Sequence, residues 1–225
     1  MKRFIIFITV CFAAVSLAAE TTVEQANAAY AAQDFQQAAQ LYENALSENG
    51  ASAAVYYNLG NAYYRLNRTA SAILNYERAL LLDPGNRDIR FNLEIARLKT
   101  VDKIEPVGEF FLAEGYNAVK NLYSADRWSY IAIVCFLLLL IGLSLFLFSR
   151  RIALKKTGFY SGLALLILCL SANVFAYNQK KKLTHRTTAI IFSATTTIKS
   201  APDNSGTDLF ILHEGTKVQV TNRLG

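Results

Sequence analysis

Two histidines and three cysteines are all that 225 residues provide in the way of soft metal ligands and ready nucleophile–base pairs. Cys11, Cys135 and Cys169 each lie inside an apolar run, with no second Cys, His or carboxylate at a metal-ligand spacing. Neither a zinc site nor a disulfide framework is therefore written into the chain. A Ser/His/Asp triad or a metal centre would have to be assembled around His185 and His213, which flank a long apolar run and a hairpin turn. Solvated surface histidines are the plainer reading of both, and no cofactor is expected.

Charge is missing altogether from a further stretch. Tyr130 to Phe148 (YIAIVCFLLLLIGLSLFLF) contains no Asp, Glu, Lys, Arg or His. At about 1.5 Å per residue its length nearly matches a ~30 Å hydrocarbon core. The pattern returns from Gly158 to Tyr177, and the connector SRRIALKKT carries Arg150, Arg151, Lys155 and Lys156. The pair reads as a two-span hairpin with a basic elbow and Trp128 at an interface. The formal charge of +6 follows the same logic, since residues 20–127 hold ten basic and fourteen acidic side chains. Excess Lys and Arg sit beside apolar runs, which marks a lipid bilayer partner and not nucleic acid.

Met1 to about Ala19 has a basic start, an apolar centre and small residues at Ser16-Leu17-Ala18. It reads as a secretory signal peptide or an uncleaved signal anchor, and either form places residue 20 onward outside the cytoplasm. The elbow is then cytoplasmic, although Lys180, Lys181, Lys182 and Arg186 form an equal cluster on the outer side.

Between residues 19 and 99 the chain repeats itself. Gly60 falls over Ala26, Asn61 over Asn27, Tyr64 over Tyr30, Ala72 over Ala38, Tyr76 over Tyr42 and Ala79 over Ala45, every pair separated by the same interval. Small residues at these positions let paired helices approach closely while aromatics fill the gaps between units. Pro84 and Gly85 end the second unit. Arg87 to Lys99 then places Ile89, Leu93, Ala96 and Leu98 at helical spacing, as the first helix of a third unit or as a cap on the stack. Pro106 to Tyr123 carries Phe110, Phe111, Val119, Leu122 and Tyr123 in a broken helical stripe. It suits an amphipathic segment lying on the outer leaflet or packing back onto the repeats. Gly158 and Gly162 lie four apart, with Gly142 and Ser144 in the facing span. They suit close contact within the hairpin or docking of a partner's spans. After Thr187 come short β-rich runs at 189–192, 195–199, 209–212 and 217–221, separated by turn residues.

The repeat, with its period of ~34 residues, resembles the tetratricopeptide repeat (TPR) family, matched by Leu59, Gly60, Tyr63, Ala72, Tyr76, Ala79 and Pro84 in the second unit and more loosely by Ala26, Phe35 and Gly50 in the first. The resemblance implies a binding groove along the first helix of each unit, lined by Val23, Asn27, Tyr30, Tyr57, Asn61, Tyr64, Arg65, Phe91 and Ile95. Paired asparagines suit an extended peptide backbone, because a carboxamide both donates and accepts. Val23 and Asp88 stand where carboxylate-clamping members have lysines, so the likeness does not extend to that clamp. The tail resembles the first part of a bacterial SH3-like barrel, through Ser200, Pro202, Leu212, Glu214, Gly215, Val218 and Val220. It stops before the closing strands, as a truncated sequence would.

The expected fold is thus mainly α: an N-terminal TPR helical array, a two-helix transmembrane hairpin and a small, incomplete all-β SH3-like C-terminal domain. Its segments are a signal peptide (1–19), repeats (20–99), a juxtamembrane segment (100–127), spans at 128–148 and 158–177 joined by a loop (149–157), and the tail (178–225). In that order they resemble the BatE-type proteins of aerotolerance operons. The resemblance implies a non-catalytic inner-membrane scaffold whose repeats and tail face the periplasm, with von Willebrand factor A-type and other TPR membrane proteins as partners. A cell-wall-targeting subunit using the tail and an envelope stress sensor remain alternatives.

Overall fold

The computed structural model describes residues 22–103, 110–201 and 206–222, so the expected signal peptide and cleavage site lie outside the described residues. The chain is mainly helical with a small C-terminal β region, and it divides into two compact units. One holds the chain through Leu80, Asn86 onward to residue 103, and the chain from Thr187. The other holds Leu81–Gly85 and residues 110–186.

The first unit begins with five helices: α1 (residues 22–31), α2 (Phe35–Asn49), α3 (Ala53–Arg65), α4 (Thr69–Leu82) and α5 (Arg87–Leu98). Asp34 starts α2 by accepting from the Gln37 amide at 3.0 Å, and Asn86 starts α5 by accepting from the Asp88 and Ile89 amides at 3.0 and 3.2 Å. Such side chains satisfy amides that the first turn of a helix leaves without a carbonyl. Chain reversals at Gln33 (φ 64°) and Asn67 (φ 59°) are also one repeat period apart, so the repeat extends to a left-handed backbone position that no glycine advertises.

Alanines occupy the helix crossings: Ala26, Ala38 and Ala45 in one cluster, Ala72, Ala79 and Ala96 in the next. Tyr42 and Tyr76 are the largest fully buried side chains. A Cβ on Gly60 would lie 2.6 Å from the Tyr76 ring, which is why α3 carries no side chain where that ring passes. Helix α5 buries Ile89, Leu93 and Ala96 as expected, but Leu98 is 73% exposed. Nine residues at about 100° each put Leu98 on the face opposite Ile89.

The tail forms β1 (Thr188–Ile190), β2 (Thr195–Lys199), β3 (Asp208–His213) and β4 (Lys217–Gln219). Strand β1 pairs antiparallel with β4 (Ala189 opposite Val218) and β2 with β3 (Thr197 opposite Ile211), giving two separate two-stranded ladders among the described residues. The tail belongs to the same unit as the repeats and packs on α4 and the end of α5. Ile190 joins the Ile73–Tyr76–Leu93 cluster, and the positive-φ turn at Gly215 (φ 85°) sits so close to Thr100 and Ile73 that a Cβ there would lie 2.7 Å from Thr100 Cγ2.

Polar contacts fix this docking. Asp102 Oδ2 accepts from the His213 amide at 2.7 Å and from the Thr216 hydroxyl at 2.7 Å, and Oδ1 meets His213 Nδ1 at 2.8 Å. Lys217 Nζ donates to Glu77 Oε2 at 2.7 Å, while Arg97 pairs with the other Glu77 oxygen. His213 is therefore not the solvated histidine the sequence suggests. A carboxylate 111 residues away engages both its amide and its ring. His185, by contrast, is exposed, and its ring meets the Thr184 hydroxyl at 2.9 Å.

The second unit contains α6 (Phe111–Lys120), α7 (Ala125–Phe148) and α8 (Ile152–Thr184). Helices α7 and α8 are long and apolar enough to cross a membrane, with mean hydropathies of 3.1 and 1.9 over their most apolar windows. Only 17% and 11% of those windows are buried within the protein, so they are not wrapped as core helices. Helix α8 starts inside the expected elbow and runs on through Lys180–Lys182. No Gly or Pro interrupts it there, and Lys181 and Lys182 suit the negative end of its dipole. A Cβ on Gly158 would lie 2.6 Å from the Gly142 carbonyl and 2.9 Å from the Phe146 amide, whereas one on Gly162 would find nothing nearer than Leu139 Cδ1 at 3.6 Å. Away from this crossing, Trp128, Ala132 and Ala172 close the hairpin.

Two outcomes follow from these contacts. Gly158→Ala should weaken the hairpin by ~1–3 kcal/mol because backbone, not a flexible side chain, is in the way, while Gly162→Ala should stay within ~0.5 kcal/mol. Resistance of the solubilised protein to unfolding by sodium dodecyl sulfate measures both. The Thr216 hydroxyl, the His213 amide and the His213 ring hold the Asp102 carboxyl at about 2, below its ordinary 3.8. A depressed acid stabilises the folded form above its unfolded pKa, so tail docking should be intact above about pH 4 and fade as pH falls toward 2. A spin-label distance between α5 and β4 should broaden over that interval, and Asp102→Ala should broaden it at neutral pH.

Candidate functional site

The repeat helices enclose an open cavity of about 340 Å³ lined by Tyr30, Asn61, Tyr64, Arg65, Tyr76, Asn92 and Ile95. Five of the residues expected along the groove meet here, on α1, α3 and α5. Tyr30 and Tyr64 are repeat equivalents, so the first helix of each of two consecutive units gives the cavity a tyrosine at the same position, and Tyr76 adds a third ring from α4. The remaining expected residues are placed elsewhere. Phe91 is 62% exposed and does not line the cavity, and Val23 packs on the first core cluster. Asn27 is exposed, and Tyr57 packs beside the Tyr76 ring with centroids 6.0 Å apart.

The asparagines tie the two helices of each unit together. Tyr42 donates its hydroxyl to Asn27 Oδ1 at 2.6 Å, and one repeat later Tyr76 donates to Asn61 Oδ1 at 2.7 Å. Burial pushes the Tyr42 hydroxyl up to about 12, with Tyr30 nearby adding to the shift, and burial pushes Tyr76 upward likewise. Both phenols therefore stay protonated and keep donating at physiological pH. Asn61 Oδ1 also accepts from Asn92 Nδ2 at 2.9 Å, and Asn92 Nδ2 reaches the Tyr57 hydroxyl at 3.0 Å. With its oxygen occupied twice, Asn61 can offer a ligand only its amide NH₂.

The sequence pattern does not point to Tyr76 or Asn92 as groove residues. Tyr76 reads as a core aromatic, which it also is. Asn92 stands one repeat period after Asn58, and Asn58 Nδ2 reaches Asn27 Oδ1 at 3.4 Å, a contact equivalent to that between Asn92 and Asn61. That second pair of asparagines is the available signal.

The groove has a cationic edge. The Arg65 guanidinium lies 4.5 Å from the Phe35 ring centroid, and Lys99 Nζ lies 3.9 Å from that of Tyr64. Stacking of this kind holds a cation in place beside an aromatic face. No carboxylate is among the described residues lining the cavity. What the site can do is grip an extended chain: aromatic rings for apolar side chains, fixed cations, and amide donors for backbone carbonyls.

Residues 23–91 match the family model described as tetratricopeptide repeat. The match covers α1 to α4 and the start of α5, including Tyr30, Asn61, Tyr64, Arg65 and Tyr76 of the groove but not Asn92 or Ile95, and such repeats are protein-interaction scaffolds. Compared with the curated proteins, the chain matches none.

Removing the Asn61 carboxamide should leave the buried Tyr76 hydroxyl without an acceptor and lower repeat stability by ~1–3 kcal/mol. Tyr64→Ala, which removes no buried polar partner and strips only a partly buried ring from the second core cluster, should cost ~1 kcal/mol. Hydrogen exchange of the α3 and α4 amides in the solubilised full chain separates the two.

Proposed function

We propose that the chain is a non-catalytic, membrane-anchored scaffold whose repeat groove holds an extended segment of a partner protein. The observation that carries this reading is the cavity assembled from Tyr30, Asn61, Tyr64 and Arg65, in residues that match an interaction repeat. Membrane anchoring is supported by α7 and α8, whose large side chains face outward: Leu137, Ile141, Leu147, Ile167 and Leu170 are all more than half exposed. Two such helices in water would present far more contiguous apolar surface than a soluble monomer shows.

The direction of insertion rests on the basic, apolar and small-residue order of the N-terminus, which favours repeats and tail on the extracytoplasmic side of the inner membrane. The order of repeats, spans and β-rich, SH3-like tail supports a place in a Bat-type aerotolerance complex, with von Willebrand factor A-type and other TPR membrane proteins as partners. Gly142 and Gly158 are taken up by the hairpin's own crossing, so the groove, and not the spans, is the proposed docking site.

Affinity capture of the detergent-solubilised full chain tests this. Tyr30→Ala, Tyr64→Ala and Arg65→Ala should each weaken partner recovery about tenfold or more, as truncation of buried aromatic and Arg anchors does. Asn61→Ala is a poor probe, because it also disturbs Tyr76. Undiminished recovery with all three variants would reject the groove, and reporter fusions placing Asn61 in the cytosol would reject the orientation.

A further inference from the structure

Helix α6 is amphipathic the wrong way round for a helix in water. Its inward face is polar. Ala113, Asn117, Lys120 and Asn121 recur at helical spacing and are the partly or fully buried positions of this segment, with Lys120 only 6% exposed. The Lys120 carbonyl accepts from Trp128 Nε1 at 2.9 Å and from Gln179 Nε2 at 2.9 Å, and Asn121 Oδ1 accepts from Gln179 at 3.1 Å. Asn178 adds a bond to the Tyr116 hydroxyl at 2.6 Å. This network pins the polar stripe of α6 to the start of α7 and the late part of α8.

The opposite arc is apolar and uncovered. Phe110, Phe111, Leu112, Val119 and Leu122 are between 45% and 67% exposed. A soluble helix turns such an arc toward a core. Here the inward side is held by the hydrogen bonds at Lys120 and Asn121, so among the described residues of its unit the arc meets no protein core.

Its level along the hairpin identifies what covers it. Tyr130 to Phe148 fills a ~30 Å hydrocarbon core at about 1.5 Å per residue, which puts Trp128 at one edge. The residues that hold α6 lie at that edge, where Tyr116, Tyr123, Trp128 and Phe175 form a chain of ring contacts with centroids 4.8 to 5.5 Å apart. Tyrosine and tryptophan concentrate at that depth, where an apolar ring meets acyl chains and its polar end meets headgroups.

We infer that α6 is an interfacial membrane helix, its Phe111–Leu112–Val119–Leu122 arc sunk into the boundary between headgroups and acyl chains and its polar stripe hydrogen-bonded to the hairpin. The inference rests on the membrane-anchoring reading above and adds a second, in-plane contact with lipid. Outward apolar side chains supply the binding surface, and the amide network prevents α6 from rolling over to hide them.

The test uses the full chain with Cys11, Cys135 and Cys169 replaced by alanine, reconstituted in phosphatidylcholine/phosphatidylglycerol vesicles. Nitroxides are attached at Leu112→Cys, Val119→Cys and, as a mid-span reference, Leu138→Cys. Oxygen and a water-soluble nickel chelate serve as collision partners. The expected result is oxygen-dominated relaxation at all three sites, with positions 112 and 119 at ~5–10 Å depth and position 138 deeper. Nickel-dominated relaxation at 112 and 119 with 138 still in lipid would overturn the interfacial helix and leave the anchor standing. Shielding of 112 and 119 from both reagents would mean a protein surface covers the arc, which also overturns it. Nickel access at 138 would overturn the anchor and this inference with it.

Discussion

A tyrosine buried between the two helices of each repeat unit is the constraint on which the array depends. Tyr42 and Tyr76 bring a large ring into a crossing otherwise lined by alanine and glycine, and a buried phenol must also find an acceptor. The acceptor lies fifteen residues earlier, on Asn27 and Asn61. Each hydrogen bond ties the second helix of a unit to the first and fixes its rotation. Rotation, in turn, decides which side chains face the groove. Asn61, bonded to Tyr76 at the cavity wall, sets the face of α3 on which Tyr64 and Arg65 also line the cavity.

The second unit reverses the usual relation between polarity and burial. Its buried positions include Gly142, Gly158, Lys120 and Gln179, while most of its leucines, isoleucines and phenylalanines point outward. Contact between its helices comes from close backbone approach at the glycines and from hydrogen bonds at the Trp128 end. That is the balance expected when the surrounding medium is as apolar as the side chains, because burying leucine against leucine then gains little. The same balance explains α6, whose amides are turned toward the protein.

The tail follows ordinary aqueous rules. Ile190 packs against the repeat core, and a carboxylate, a hydroxyl, an imidazole and an amide satisfy one another around Asp102. Among the described residues its strands make two separate ladders, and the repeat helices supply the surface they lean on. No described tail residue lines the groove, so the docked tail is compatible with an occupied cavity.

What the chain's residues determine by themselves is periodic. A constant interval between equivalent small and aromatic side chains yields the helix pairs, and uncharged runs of spanning length yield α7 and α8, because both signals are local and repeat along the chain. Leu98 shows where that stops, since helical spacing alone does not say which arc is covered. The tertiary structure decided the rest: that Asn27 and Asn61 serve Tyr42 and Tyr76 before any ligand, that α6 turns its polar stripe inward, and that His213 belongs to Asp102. Each of these joins groups between 15 and 111 residues apart, or asks which face of a helix meets a neighbour. Spacing within a segment carries no information about what lies across from it, so only the packed chain could supply those partners.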